Sequence, residues 1–258
     1  ECPLDVYEDR VGKDISMMLW YQGMNPTRKF SEIQEIRRKY AGKGFDGQYR
    51  FFMYGWLPES TLSDGTKDPE KSFTAAQLAT GALDDYWREY FEDVKSVQRN
   101  PNDYGPVWFR PVNEMNSTWT YWGNDAPNFV KFWRRMYNIA EKVGITDYNV
   151  FVWSSNCSTY GKYKMEEYYP GDHYCDWIGT SCYYSTASTY GYPSYLMNET
   201  QSMSEEKPVM ITEGGFGPKE CDNKLWVREW FGLKNTHPRV KGVVWENHSN
   251  GDLDRRIH

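Results

Sequence analysis

The chain has 258 residues, with 30 Lys and Arg against 36 Asp and Glu, and the resulting net charge of −6 excludes the basic face of a nucleic-acid binder. A mean hydropathy of −0.82 and the lack of any apolar run near ~18 residues exclude a membrane span, and residues 1–20 show no basic stretch running into an apolar one, so no signal peptide is visible there. The 39% hydrophobic content is enough for one sizeable core, so a single domain over residues 1–258 is expected.

The segment LDVYEDRVG near the start reads as the tail of a helix. Seven strand-like runs follow: ISMMLWY (15–21), RFFMYGW (50–56), VWFRPV (107–112), NVFVW (149–153), DWIGTS (176–181), PVMIT (208–212) and VKGVVW (240–245). Helical patterns alternate with them: FSEIQEIRRKYA (30–41), AAQLATGALDDYWREYFEDVKSV (75–97), NFVKFWRRMYNIAEKVG (128–144) and NKLWVREWFGLKN (223–235). The third places Phe129, Phe132, Trp133, Met136, Ile139 and Ala140 at helical spacing and stops at Gly144. Such alternation predicts an α/β fold with a parallel sheet and crossover helices. With no GxGxxG or GxxxxGK[ST] turn for a phosphate, a (β/α)8 TIM barrel is the better expectation than an open doubly wound sheet. Seven strand runs rather than eight, and only ten residues or so after VVWENH, suggest that a first strand and a last helix lie outside these residues.

Polar and aromatic residues cluster where these runs end: Trp56, Asn113 and Glu114, Trp153 and Ser154, Glu213, Trp245 and Glu246. In a barrel those ends share one cleft. Glu114 and Glu213 are 213 − 114 = 99 positions apart, yet there they would face the same groove. Two opposed carboxyls are what glycoside hydrolysis needs, one protonated and one ionised. Glu114, flanked by Trp119 and Trp122, suits the proton donor. Glu213, followed by Gly214 and Gly215, suits a nucleophile on a turn open to substrate.

The 12 Trp, 21 Tyr and 12 Phe make 17% of the chain. Such rings either pack a core or offer flat faces to the C–H groups of sugars. Trp87, Trp133, Trp226 and Trp230 stand at helical positions and are expected in the core. Glu246 is a competing carboxylate, read as a loop residue or minor sugar contact. His173 and His248 read as ordinary loop histidines, and Asp172 and Asp176 as a weak Ca²⁺ alternative. Five cysteines without a CxxC pair argue against zinc or redox motifs. Cys175 or Cys182 could pair with Cys157 or Cys221 in an oxidising compartment. Sequons at Asn116, Asn156, Asn198 and Asn247 carry little weight.

The stretch RPVNEMNSTWTYWG (110–123) resembles the acid/base segment of glycoside hydrolase family 26, the retaining β-mannanases and related β-glucanases. NVFVWSSN (149–156), YYPGDHYCDWIGTSCY (168–183), PVMITEGGF (208–216) and KGVVWENHSNGDLDRRI (241–257) are similar to later segments of that family, in the same order. The family's usual His before the acid/base Glu is Asn113 here, which bears on the choice between mannose and glucose. The resemblance implies double displacement, with Glu213 attacking and Glu114 giving and taking the proton, at a carboxyl separation of roughly 5–5.5 Å. It implies that Arg110 and Asn113 orient the carboxyls, that Tyr183 bonds the nucleophile, and that Trp119, Trp122, Trp153 and Trp245 form stacking platforms. The expected substrate is a β-1,4-mannan-type polysaccharide, with mixed-linkage β-1,3-1,4-glucan or a non-catalytic carbohydrate-binding barrel as alternatives. No cofactor, metal, nucleic acid or membrane partner is expected, and the enzyme is expected to be a monomer acting outside the cell or at its surface.

Overall fold

The structure is a computed structural model, and it describes residues 7–9, 12–23, 30, 31, 34, 37, 50–62, 66–98, 105–184, 192–216, 223–246, 249, 250, 253 and 254. Most of the expected helix at 30–41, together with Cys2, Cys221, Asn247 and His248 and the side chain of Trp226, falls outside the described residues. Tyr7–Asp9 is helical, in line with the helix tail read there.

Seven strands form one sheet in sequence order, every pairing parallel. They are β1 (Met17–Gly23), β2 (Phe51–Leu57), β3 (Val107–Pro111), β4 (Val150–Asn156), β5 (Trp177–Tyr184), β6 (Val209–Phe216) and β7 (Val240–Trp245). β1 and β7 approach each other without pairing, so the sheet curls into a partial (β/α)8 barrel. Helices α1 (Ala75–Ala79), α2 (Asp84–Gln98), α3 (Ala126–Val143), α4 (Tyr192–Ser202) and α5 (Asn223–Thr236) lie between strands in the chain.

The expected helix at 75–97 is two helices. α1 starts on a capping box in which Thr74 and Gln77 satisfy each other's backbone N–H groups. It ends before Gly81, whose φ of +91 suits glycine and whose Cβ would strike the Arg135 guanidinium. α3 buries Phe129, Phe132, Trp133, Met136, Tyr137, Ala140 and Val143 on one face and is closed by left-handed Gly144. α4 was not apparent in the sequence: YPSYLMNETQS has too few apolar positions to show a stripe.

Among the described residues, most of the aromatic side chains pack into the hydrophobic core. Trp56 lies 4.3 Å from Trp87 between ring centroids, and Trp87 stacks on Phe91. Trp87, Trp133 and Trp230 are buried. Met53, Trp108, Val152 and Met210, from four strands, meet in a separate cluster. Because β4 and β6 are not neighbours, that cluster must lie inside the curl. No helix among the described residues is long and apolar enough to cross a membrane.

Candidate active site

Alternate residues of a strand share a face, so Arg110 stands on the same inner face as Trp108. It is fully buried, and each of its three nitrogens is engaged. Its Nε donates to Ser154 Oγ (3.0 Å) on β4, one terminal nitrogen to Ser181 Oγ (2.5 Å) on β5, and the other to Glu213 Oε2 (2.9 Å) on β6 and to the Tyr21 hydroxyl on β1. Burial disfavours the guanidinium charge, but Tyr21 and Glu213 outweigh it and raise its pKa. Ser154 and Ser181 are the small polar residues inside apolar strands that make this possible.

Glu213 lies within β6, not after it. The strand continues because its register with β5 shifts between Thr180 and Ser181. Thr212 Oγ1 meets Ser154 Oγ at 2.7 Å while the next residue, Glu213, meets Arg110. Two consecutive side chains on one face require such a bulge, which turns the carboxylate inward. Its Oε1 accepts from Tyr183 (2.5 Å), and its Oε2 accepts from Arg110 and Tyr21. Burial pushes the carboxyl pKa up, but the Arg110 charge and the hydrogen bonds from Tyr183, Tyr21 and Arg110 together hold it below its usual 4.5.

Gly214 does not open the strand to substrate. A Cβ there would sit 1.9 Å from the Trp230 ring and 2.7 Å from the Cys182 carbonyl, so the missing side chain is space for a core tryptophan. Gly55 plays the matching part on β2. Tyr21, Gly55 and Arg110 lie in register across β1, β2 and β3, and a Cβ on Gly55 would meet the Tyr21 ring at 2.5 Å. The ring crosses that gap, and the Arg110 guanidinium lies 5.7 Å from its centroid.

Glu114 leaves β3 through a strained turn. Val112 (φ 48) and Glu114 (φ 57) are both left-handed, a conformation that costs a β-branched residue roughly 1–3 kcal/mol. The turn is held by Val112 N–H on the Trp56 carbonyl (2.8 Å) and Glu114 N–H on the Ser154 carbonyl (2.9 Å). Glu114 Oε2 accepts from Trp119 Nε1 (3.0 Å) and Oε1 from Asn156 Nδ2 (3.1 Å). Ser154 therefore joins the two centres: its carbonyl fixes the backbone of Glu114 and its hydroxyl the arginine on Glu213.

The four expected platforms divide. Trp119 is half exposed beside Glu114, and Trp245 is partly buried, edge-on to Trp230 at 5.6 Å. Trp122 and Trp153 are buried, with indole N–H groups on the carbonyls of Asn113 (2.8 Å) and Tyr168 (3.1 Å). They offer no face to a sugar, so the platform expectation is corrected for both. The side chain of Asn113 does not orient a carboxyl either: its Oδ1 is buried with no hydrogen-bond partner among the described residues. Its carbonyl, through Trp122, fixes the turn instead.

Tyr21 and Asn156 were missed by sequence reasoning. Gly55, a glycine within an apolar strand, was the available sign of a close approach; Asn156 gave none beyond its place at a strand end. Glu246 lies near enough for its charge to raise the Tyr183 pKa, after burial and Glu213. Asp172 accepts from Tyr169 and Ser204, and Asp176 from the Phe151 N–H; these are structural bonds. Asn116 is fully buried and cannot carry a glycan. Cys157 and Cys182 form a disulfide; Cys175 is a buried free thiol whose pKa burial pushes up to about 12.

A glycosyl hydrolase family 26 model matches residues 82–217. The chain belongs to glycosyl hydrolase family 26. It is 22% identical over 202 residues to endoglucanase H of Acetivibrio thermocellus (72% of this chain, 22% of that protein) and 28% identical over 188 residues to a mannan endo-1,4-beta-mannosidase of Bacillus subtilis (60% and 50%). The chain thus spans at most half the length of either relative. Its fold is similar to that of a family 26 β-mannanase from Bacteroides ovatus, with a TM-score of 0.62 at 19% identity over 92% of this chain and 73% of that one.

Proposed function

We propose that this family 26 domain is a retaining endo-β-1,4-glycanase, with β-mannan as its leading substrate. The observation that carries the reading is the clamp on Glu213: a buried arginine and two phenols keep one carboxylate ionised, and Ser154 ties that arginine to the backbone of Glu114. Among the described residues Oε2 takes two donors and Oε1 one. Oε1 therefore keeps a lone pair free, and it is the attacking atom.

In the first step Oε1 forms a bond to the anomeric carbon as the carbon–oxygen bond to the leaving sugar breaks, and protonated Glu114 gives its proton to that oxygen. In the second, Glu114 takes a proton from water, the water oxygen bonds to the anomeric carbon, and Glu213 departs as carboxylate. Trp119 and Asn156 aim the Glu114 oxygens throughout.

Mannan is favoured by the mannosidase relative. Mixed-linkage β-glucan is the second reading, favoured by the endoglucanase match and by Asn113 in place of the family's His. The disulfide and the size of the substrate favour work outside the cytosol, and the enzyme is proposed to act as a monomer.

NMR of the first product anomer on manno- and gluco-oligosaccharides tests the reaction; the β-anomer is expected first, and the α-anomer would overturn it. Glu213→Ala should lose on the order of 10⁴-fold or more in kcat, as expected when a nucleophile is removed, and azide should restore part of the turnover on an activated glycoside. A trapped glycosyl-enzyme should show carboxyls about 5–5.5 Å apart.

A further inference from the structure

Two large rings beside Glu114 are half exposed, Trp119 at 48% and Tyr160 at 45%. Their centroids lie 4.8 Å apart with the planes at 64°, so they form two walls of a corner rather than one flat face.

The corner is built rigidly. Asn116 is fully buried, and its amide ties the turn after β3 to the segment after β4. Its Nδ2 reaches the carbonyls of Asn156 (2.8 Å) and Ser158 (3.3 Å) and the Thr159 hydroxyl (3.3 Å), while its Oδ1 accepts the Asn156 N–H (2.8 Å). The Asn116 carbonyl takes the N–H of Tyr160 itself, at 2.8 Å. On the far side Asn124 Oδ1 accepts the Lys162 N–H (3.0 Å), and Gly161 (φ +102) has no room there for a Cβ, which would stand 2.3 Å from that same oxygen. The backbone is thus fastened on both sides of Tyr160, and the cost of holding an aromatic ring in water is met by buried amides.

The position of the corner follows from the chemistry. The proton donor must lie against the oxygen being cleaved, and the nucleophile on the opposite side of the donor sugar. A ring whose N–H touches Glu114 therefore borders the leaving sugar. Tyr160 packs against that ring, at 4.8 Å between centroids.

We propose that Tyr160 is a substrate-binding residue on the leaving-group side, which with Trp119 forms a shelf for a pyranose ring there. The proposal rests on the glycosidase reading. C–H groups of the sugar would lie on the aromatic faces, with hydroxyls turned to water. The site takes a neutral β-linked hexose, and its contribution grows with the length of the leaving fragment.

The test compares the hexasaccharide, of mannose and then of glucose, with the disaccharide β-fluoride of the same sugar, whose leaving group has no ring. Tyr160→Ala is expected to lose about tenfold in kcat/KM on the hexasaccharide, mostly through KM, which corresponds to about 1.4 kcal/mol. It should lose at most about twofold on the fluoride, and Tyr160→Phe should behave as the parent on both. Equal losses on the two substrates, or no loss on the hexasaccharide, would overturn the shelf alone. A parent enzyme inactive on both would overturn the glycosidase reading and the shelf with it.

Discussion

Tyr21 stands where three strands deliver their chemistry to one carboxylate. Its phenol donates to Glu213 beside the Arg110 guanidinium. Tyr21→Phe removes one donor to the ionised form, so the Glu213 pKa should rise and the acidic limb of the kcat/KM profile should move to higher pH; a pH series on one oligosaccharide measures this. The same carboxylate links pH to folding. Its folded-state pKa is depressed below the usual 4.5, so its contribution to stability is present above that value and is lost as pH falls through the lower folded value. The parent protein should lose stability over that acid range, and Tyr21→Phe should lose less. Arg110→Lys keeps the charge but cannot reach Ser154, Ser181, Tyr21 and Glu213 at once. It should destabilise the fold by roughly 1–3 kcal/mol for the stranded buried hydroxyls and lower kcat, measured by chemical denaturation and by turnover.

Strands carry these residues, and their bounds explain what could be read from sequence. The apolar starts of β2, β3 and β6 were legible to within a residue, because alternation and hydrophobic runs report burial. The ends of β4, β5 and β6 were read short. In β4 and β6, Ser154 to Asn156 and Glu213 replace apolar residues, so the sequence stops resembling a strand where the site begins. The structure joins Arg110, Tyr183 and Glu213 in one hydrogen-bonded cluster, with Glu114 tied to it through Ser154, as the convergence of strand ends in a barrel suggests. Sequence position could not tell which way a ring faces, so Trp122 and Trp153 looked the same as Trp119. Nor could it show the bulge, which depends on pairing with β5. Gly214 follows from the same geometry: Gly214→Ala should destabilise by about 1–3 kcal/mol through collision with Trp230. Thermal denaturation checks this, and Trp230→Phe in the same chain should recover part of the loss.

At the scale of the whole molecule, the two carboxylates hang from different parts of the sheet, Glu114 from the turn after β3 and Glu213 from β6. Their supports are next to a single covalent link. Cys157 follows Asn156, which holds Glu114, and Cys182 precedes Tyr183, which holds Glu213. The bond closes a loop with a sequence separation of 25, and such a loop constrains the unfolded chain by about 3–4 kcal/mol. Replacing both cysteines with serine should lower the melting temperature by roughly 5–15 °C. Calorimetry of the parent and the double variant measures it.

That rivet also decides how the enzyme should fail on heating. Asn156 and Tyr183 cannot drift apart while the sulfurs are joined, however much the outer helices loosen. Turnover should therefore persist until the barrel melts as a unit, whereas in a reducing medium activity should fade at temperatures where most of the sheet is still intact.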